Sequence, residues 1–87
     1  MRWKEVIESF INKEYGSGSN CMSTGEKLYS YNTCIGQWVD NVIYINTTKY
    51  SNTTTKLQNY LLFKTRNHRL GVEILDDVPK NKTFLYG

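Results

Sequence analysis

Residues 35–46, IGQWVDNVIYIN, decide the fold because they read as two strands joined by a short turn. Bulky apolar and aromatic side chains lie on both sides of Asp40-Asn41, and Asp and Asn tolerate the positive φ that two-residue hairpin turns require. We therefore predict strands over residues 27–38 and 42–48, paired antiparallel about that turn.

Pairing about this turn fixes which side chains share a face of the sheet. Trp38 then lies opposite Ile43 and Gly36 opposite Ile45, and this face is the expected core face. The other face would pair Gln37 with Tyr44, Ile35 with Asn46, Thr33 with Thr48 and Tyr31 with Tyr50. A ladder of that length would place the polar residues 31–33 beside residues 48–50.

Helical spacing of apolar residues predicts two helices outside the hairpin. Residues 3–15 carry one apolar stripe, and the Gly/Ser-rich residues 16–20 end that helix in a flexible loop. Residues 53–66 carry a second stripe, with Ser51 or Asn52 as the capping residue.

The remaining sequence completes an α+β fold. Residues 69–76 are a predicted strand, residues 76–80 a turn, and residues 83–86 a short edge strand. We predict one small α+β domain over residues 1–87, with two helices and an antiparallel sheet of three to four strands. The element order is α-β-β-α-β, with the edge strand last.

The positive charge of the chain is concentrated in one region. The formal net charge is +3, yet residues 41–72 contain no Asp or Glu and carry five Lys or Arg residues. A local excess of cations without carboxylates favours an anionic partner. Part of this charge has a structural explanation, because Lys64, Arg66 and Arg69 lie near the predicted end of the second helix, where cations complement the helix dipole.

Residues 46–58, NTTKYSNTTTKLQ, form a hydroxyl-rich tract around the predicted start of the second helix. Free backbone N–H groups at a helix start bind phosphate or carboxylate, and Lys49 and Lys56 flank the hydroxyls. Tyr31, Tyr44 and Tyr50 could stack on a base. The structural alternative is that these Thr and Ser residues only cap the helix and end the strand.

Groups suited to catalysis or metal binding are sparse. His68 is the only histidine, Glu5 and Glu8 fall on the polar face of the first helix, and Asp76-Asp77 reads as a turn. We therefore expect no enzyme, no cofactor and no metal site. Cys21 and Cys34 fit no zinc pattern, so we interpret them as buried thiols, with a disulfide as the alternative.

Composition and segment length favour the cytoplasm of a bacterial host cell. The chain is rich in Asn, Lys, Tyr, Ile and Thr and contains no Ala, which is typical of an AT-rich genome such as that of a low-GC bacterium or its phage. We expect no membrane contact, since no apolar segment approaches the roughly 20 residues that span a bilayer. The N-terminus also lacks the apolar region of a signal peptide.

Three segments together resemble a motif of small uncharacterised proteins from phages and mobile elements: 31–33 (YNT), 46–51 (NTTKYS) and 53–58 (TTTKLQ). In that family a YNT strand precedes a tract similar to NTTKYSxTTSKHQ. Here Thr55 replaces the Ser and Leu57 replaces the His, which argues against histidine-dependent chemistry. The resemblance implies a phage context, and small phage proteins often block host immunity, as anti-CRISPR proteins and nucleotide sponges do.

These observations lead to a hypothesis about function. We expect a non-enzymatic phage protein that counters host immunity by binding a defence effector or by sequestering an anionic nucleotide. Its expected ligand-binding residues are Tyr31, Asn32, Thr33, Thr48, Lys49, Tyr50, Ser51, Thr54 and Lys56. The alternatives are a nucleic-acid-binding protein and a homo-oligomeric interaction module.

Overall fold

Two helices and six strands follow one another within residues 2–79 and 85, the residues that this computed structural model describes. The elements are α1 (Trp3–Ile11), β1 (Tyr15–Ser17), β2 (Cys21–Thr24), β3 (Lys27–Ser30), β4 (Thr33–Val39), β5 (Val42–Asn46), α2 (Asn52–Asn67) and β6 (Gly71–Leu75). The small α+β fold is therefore as predicted, but the sheet is larger than the expected three to four strands.

The six strands lie in the sheet in their order along the chain. Each neighbouring pair from β1 to β5 is antiparallel, whereas β5 and β6 are parallel. The expectation of a purely antiparallel sheet was therefore wrong at its last pair. The physical reason is α2, since a helix between two strands returns the chain to the end where the first strand began.

The central hairpin is confirmed. β4 and β5 pair Val39 with Val42 around Asp40, whose φ is 57°. The pairs Trp38–Ile43, Gly36–Ile45 and Gln37–Tyr44 form as predicted.

The ladder stops at Gly36–Ile45, so the expected pairs Ile35–Asn46, Thr33–Thr48 and Tyr31–Tyr50 do not form. Asn46 lies opposite Leu75 of β6, and from Asn46 onward β5 is no longer paired with β4. A register shift between β3 and β4 leaves Ile35 without a partner on β3, which is the geometry of a bulge.

The predicted strand 27–38 is two strands, β3 and β4. The chain reverses at residues 31–32, where Tyr31 has a φ of 55° and its N–H donates to the Asn20 carbonyl at 2.8 Å. An aromatic residue in the left-handed region is uncommon, because its Cβ crowds the backbone. The sequence contains no Gly at this turn, and the break was therefore missed.

The predicted helix 3–15 was four residues too long, and the predicted loop 16–20 contains the last two residues of β1. α1 ends at Ile11, where Glu14 N–H donates to the Ser9 carbonyl at 2.8 Å and Lys13 N–H to the Phe10 carbonyl at 3.0 Å. Lys13 has a φ of 60°. Together these features form a Schellman motif, which ends a helix abruptly. Tyr15 then lies in β1 and is 66% exposed.

Both helices pack on the same face of the sheet, and Gly36 lies at their meeting point. A Cβ placed on Gly36 would lie 3.1 Å from two ring atoms of Phe10 on α1 and 3.2 Å from Leu61 Cδ2 on α2. The buried core between sheet and helices consists of Val6, Ile7, Phe10, Cys21, Leu28, Ile35, Trp38, Ile43, Ile45, Leu57 and Leu61. The predicted core face of the hairpin is thus confirmed.

The end of α1 is also fixed to β4 by a polar contact. Trp38 Nε1 donates to the Phe10 carbonyl at 2.7 Å, and Lys13 Nζ lies 4.6 Å from the centroid of the Trp38 ring. The indole therefore satisfies one of the carbonyls that a helix end leaves without an intrahelical partner.

The second helix begins as predicted, with Ser51 as its N-cap. β6 is shorter than the predicted strand 69–76, and Ile74 on it is 53% exposed. The predicted edge strand 83–86 lies outside the described residues except for Leu85, whose N–H donates to Gln37 Oε1 at 2.7 Å.

Gly36→Ala should lower the free energy of unfolding by about 1–3 kcal/mol, because the new methyl group overpacks the contact between Phe10 and Leu61. Urea unfolding followed by circular dichroism measures this change. Gly71→Ala is the matched control, since its Cβ would meet Val42 Cγ2 at an ordinary 3.5 Å. Equal losses in the two variants would contradict the close packing at Gly36.

Candidate functional site: the helix-start end

Both helices begin at the same end of the sheet, which we call the helix-start end. The turns at residues 18–20 and 31–32 lie there, as does the segment 46–51 that connects β5 to α2. Residues of the α1 start border the first of these turns. A hydrogen bond of 2.8 Å between Ser30 Oγ and Thr54 Oγ1 joins the β3–β4 turn to the first turn of α2.

Asn46 is the centre of the hydrogen bonding at this end, and it is fully buried. Its Nδ2 donates to the Cys34 carbonyl at 3.1 Å and to the Tyr50 hydroxyl at 2.8 Å. Its Oδ1 accepts the Thr48 N–H at 2.9 Å. Because a buried amide must satisfy its donors and acceptor, these partners fix the path of the chain as it leaves β5.

The segment after Asn46 is also joined to the residues around the end of β6. The Thr47 N–H and hydroxyl both donate to the Leu75 carbonyl, at 2.8 and 2.9 Å. Thr48 Oγ1 accepts the Val78 N–H at 2.8 Å, and the Tyr50 hydroxyl donates to the Val78 carbonyl. Three side chains of the hydroxyl-rich tract therefore bind backbone groups of the same molecule.

The start of α2 supplies the remaining contacts of the tract. Gln58 Nε2 donates to the carbonyls of Asn46 at 2.6 Å and Thr48 at 2.9 Å. Ser51 Oγ accepts the Thr54 N–H at 3.2 Å, which caps the helix. Much of the tract thus has the structural role that the sequence left open as the alternative to binding.

The nine expected ligand-binding residues differ in how far their side chains are exposed to solvent. Thr33 and Thr54 are 5% and 4% exposed and so lie beneath the surface. Thr48 and Tyr50 are half-buried and hydrogen-bonded within the protein. The residues that present exposed side chains are Tyr31, Asn32, Lys49, Ser51 and Lys56.

Aromatic rings and lysines connect the two helices at the helix-start end. Trp3 of α1 meets Tyr60 of α2 edge-on, with 5.3 Å between the ring centroids. Lys4 Nζ and Lys56 Nζ each lie 5.5 Å from the Trp3 ring centroid. The Tyr60 hydroxyl donates to Glu8 Oε2 at 2.9 Å. Since Lys56 lies one helical turn beyond Ser51, these cations border the start of α2.

Two grooves open at the helix-start end. A groove of about 920 Å³ is lined by Arg2, Trp3, Lys4, Glu5, Ser19 and Asn20. A groove of about 400 Å³ shares Ser19 and Asn20 with it and extends to Tyr31 and Asn32. The two grooves share these residues of the β1–β2 turn and adjoin each other there; together we call them the depression.

Several residues important to this end were not among the expected binding residues. Trp3 and Lys4 were interpreted only as the beginning of an amphipathic helix, and Arg2 only as part of an N-terminus without a signal peptide, although the sequence places an aromatic residue between two cations. Gln58 and Asn46 lay inside the quoted tract. Their only local signal was that each directly follows an apolar residue, Leu57 and Ile45 respectively.

The described residues offer little for covalent or metal chemistry. Cys21 and Cys34 are free and buried, as predicted, and no disulfide joins them. Burial raises the pKa of the Cys34 thiol to about 11, and burial also raises the pKa of Cys21. A thiol with a raised pKa is a poor nucleophile at neutral pH. Among residues 2–79 and 85 no cluster of His, Cys, Asp or Glu could hold a metal ion.

Comparison with known proteins yields one match. A model of a family of unknown function, DUF8033, matches residues 6–76. No curated protein and no solved structure matches the chain. In the part of the chain described here, no helix is both long and apolar enough to cross a membrane.

Asn46→Ala should lower the free energy of unfolding by ~2–4 kcal/mol, because it leaves the Cys34 carbonyl and the Thr48 N–H without their partner. Thermal and urea unfolding measure the loss. Asn52→Ala, at an exposed position of α2, should change stability by no more than about 0.5 kcal/mol. Similar values for the two variants would contradict the central role of Asn46.

The raised pKa of Cys34 predicts a pH dependence of stability. The unfolded thiol ionises near its ordinary pKa of 9.0 and the folded thiol only near 11. The buried thiol therefore makes its full contribution to stability below pH 9. The free energy of unfolding falls by roughly 2 kcal/mol as the pH rises from 9 towards 11.

Urea unfolding of the wild type and of Cys34→Ala across that range isolates this contribution, because the other alkaline groups titrate in both proteins. The difference in unfolding free energy should shrink as pH rises. A difference that stays constant from pH 8 to pH 11 would show that the thiol ionises equally in both states.

Proposed function

Since the chain belongs to DUF8033, a family of unknown function, we propose a function from its own residues: a non-enzymatic phage protein that counters host immunity by binding. Its target would be an anionic nucleotide or a defence effector, captured at the helix-start end. We further propose that it acts in the cytoplasm of the bacterial host cell.

The observation that carries this proposal is the contact between Ser30 and Thr54, which holds the β3–β4 turn beside the start of α2. Side chains from two distant segments, Tyr31 and Asn32 on one side and Ser51 on the other, thereby contribute to one exposed surface. An aromatic ring, an amide and a hydroxyl on neighbouring elements can together recognise a base, a sugar and a phosphate.

The charges around this surface favour an anion. The starts of α1 and α2 each present the positive end of a helix dipole, and Lys49 and Lys56 add exposed cations. The carboxylates at the same end are Glu5 on α1 and Asp76 and Asp77 after β6. Glu5 accepts the Arg2 N–H at 3.0 Å, and the Asp77 N–H donates to Asp76 Oδ1 at 2.9 Å.

The non-enzymatic part of the proposal is supported by the state of the reactive groups. The two thiols are buried with raised pKa values, and His68 is the exposed C-cap residue of α2, far along the helix from Ser51. An activated nucleophile needs a base within hydrogen-bonding distance. The exposed surface at the helix-start end instead offers binding groups.

Nucleic-acid binding is the second candidate, favoured by the lysines around Trp3 and Tyr60. Affinity should then fall steeply with salt as counterions are released. The third candidate, a homo-oligomeric module, is favoured by exposed Phe63 and Ile74. Light scattering at several concentrations tests it.

Isothermal titration against nucleotides, short oligonucleotides and purified defence effectors tests the proposal. At least one of these should bind, and Lys49→Gln combined with Lys56→Gln should weaken binding of an anionic ligand by about tenfold, since each lost charge contact contributes on the order of 0.5–1 kcal/mol. Arg66→Gln combined with Arg69→Gln, two exposed positions around the far end of α2, is the charge-matched control and should bind as the wild type does. If no member of the panel binds, the proposed function is wrong.

A further inference from the structure

We propose that the two adjoining grooves, one beside Trp3 and the other beside Tyr31, bind two consecutive nucleotides of a single-stranded nucleic acid. One base would stack on each ring, and the phosphate between them would lie near Arg2 and Lys4. This inference rests on the second candidate of the proposed function, nucleic-acid binding, because it names the kind of nucleic acid and the place where it binds.

The shape of the depression suits an extended ligand. The larger groove, about 920 Å³, lies beside Arg2, Trp3 and Lys4, and the smaller, about 400 Å³, extends to Tyr31. Their shared wall is Ser19-Asn20, whose side chains are exposed. A ligand that occupies both grooves must pass along this wall, where a hydroxyl and an amide can bind its sugar and phosphate oxygens.

The two aromatic rings lie at opposite ends of the depression. Tyr31 is 58% exposed, and its backbone is held at a φ of 55° by the bond from its N–H to the Asn20 carbonyl. A side chain that remains exposed on a constrained turn loses little conformational freedom when a base stacks on it. Trp3 is half-buried between the Tyr60 ring and two lysines, so it is also held in place.

The charge of the larger groove favours a phosphate. Arg2 and Lys4 line it against a single carboxylate, that of Glu5, and Lys56 Nζ lies 5.5 Å from the Trp3 ring centroid. The Glu5 carboxylate accepts the Arg2 backbone N–H at 3.0 Å. Arg and Lys beside an aromatic ring are the combination with which proteins bind single strands.

A duplex does not suit this arrangement. In a double helix each base is already stacked between its neighbours, whereas bases in a single strand can turn outward and stack on a protein side chain. The two rings are separated by the β1–β2 turn, so each can accept only its own base. We therefore expect the protein to bind single strands more tightly than duplexes of the same sequence.

Fluorescence anisotropy with labelled thymidine oligomers of two, four and eight nucleotides, and with a matched duplex, tests this inference. The four-nucleotide strand should bind at least tenfold more tightly than the duplex. Tyr31→Asn should weaken single-strand binding about tenfold, because it removes a stacking ring, while Asn suits the left-handed backbone of the turn. Tyr31→Phe keeps the ring and should bind as the wild type does.

Three further variants distinguish the loss of stacking or charge from a general loss of folding. Tyr15→Asn removes an equally exposed tyrosine outside both grooves and should leave binding unchanged. Lys4→Gln should reduce the slope of log affinity against log salt by about 0.7, the value for one phosphate contact on a single strand. Lys4→Arg should restore that slope.

The outcomes distinguish this inference from the proposed function. The inference is overturned if single strands do not bind, if they bind no better than the duplex, or if Tyr31→Asn and Lys4→Gln leave their binding unchanged. If a free nucleotide or a defence effector still binds in the calorimetric panel and depends on Lys49 and Lys56, the proposed function stands without it. If nothing in either experiment binds, both are wrong.

Discussion

The side chain of Asn46 connects three parts of the molecule: β4, the segment that follows β5 and, through Tyr50, the residues after β6. Its amide binds the Cys34 carbonyl on β4, the Thr48 N–H beyond β5 and the Tyr50 hydroxyl, which in turn binds the Val78 carbonyl. Because Asn46 is fully buried, water cannot replace these partners. The direction in which the chain leaves β5, and with it the position of α2 over the sheet, depends on this amide.

Because Asn46 fixes this segment, much of the hydroxyl-rich tract has a structural role. A polar run around a helix start suggests a binding surface, yet Thr47, Thr48, Tyr50 and Thr54 bind groups within the protein. These internal bonds leave a smaller exposed set at the helix-start end, next to grooves lined by the start of α1. The tract therefore builds the surface, and Arg2, Trp3 and Lys4 beside it add cations and aromatic area to the exposed Lys49 and Lys56.

The sequence predicted those elements whose signal is local. The hairpin about Asp40-Asn41 and the Ser51 cap follow from short-range turn and capping chemistry, and the structure contains both. β1 and β2 were missed because their buried positions are Gly16, Cys21 and Ser23, which are too small or polar to show apolar alternation. Tertiary packing, which no local pattern encodes, determines the parallel pairing of β5 with β6. It also determines the position of Arg2 and Trp3 beside the β1–β2 turn.

The Asn46 network should hold segment 46–51 as firmly as the sheet itself. Native-state hydrogen exchange followed by NMR tests it directly, because exchange of a protected amide requires its hydrogen bond to open. The amides of Thr48 and Val78, which donate to side chains of this network, should exchange about as slowly as amides in the centre of β4. If these two amides exchange at the rate of an exposed loop while β4 stays protected, the Asn46 network does not fix this segment.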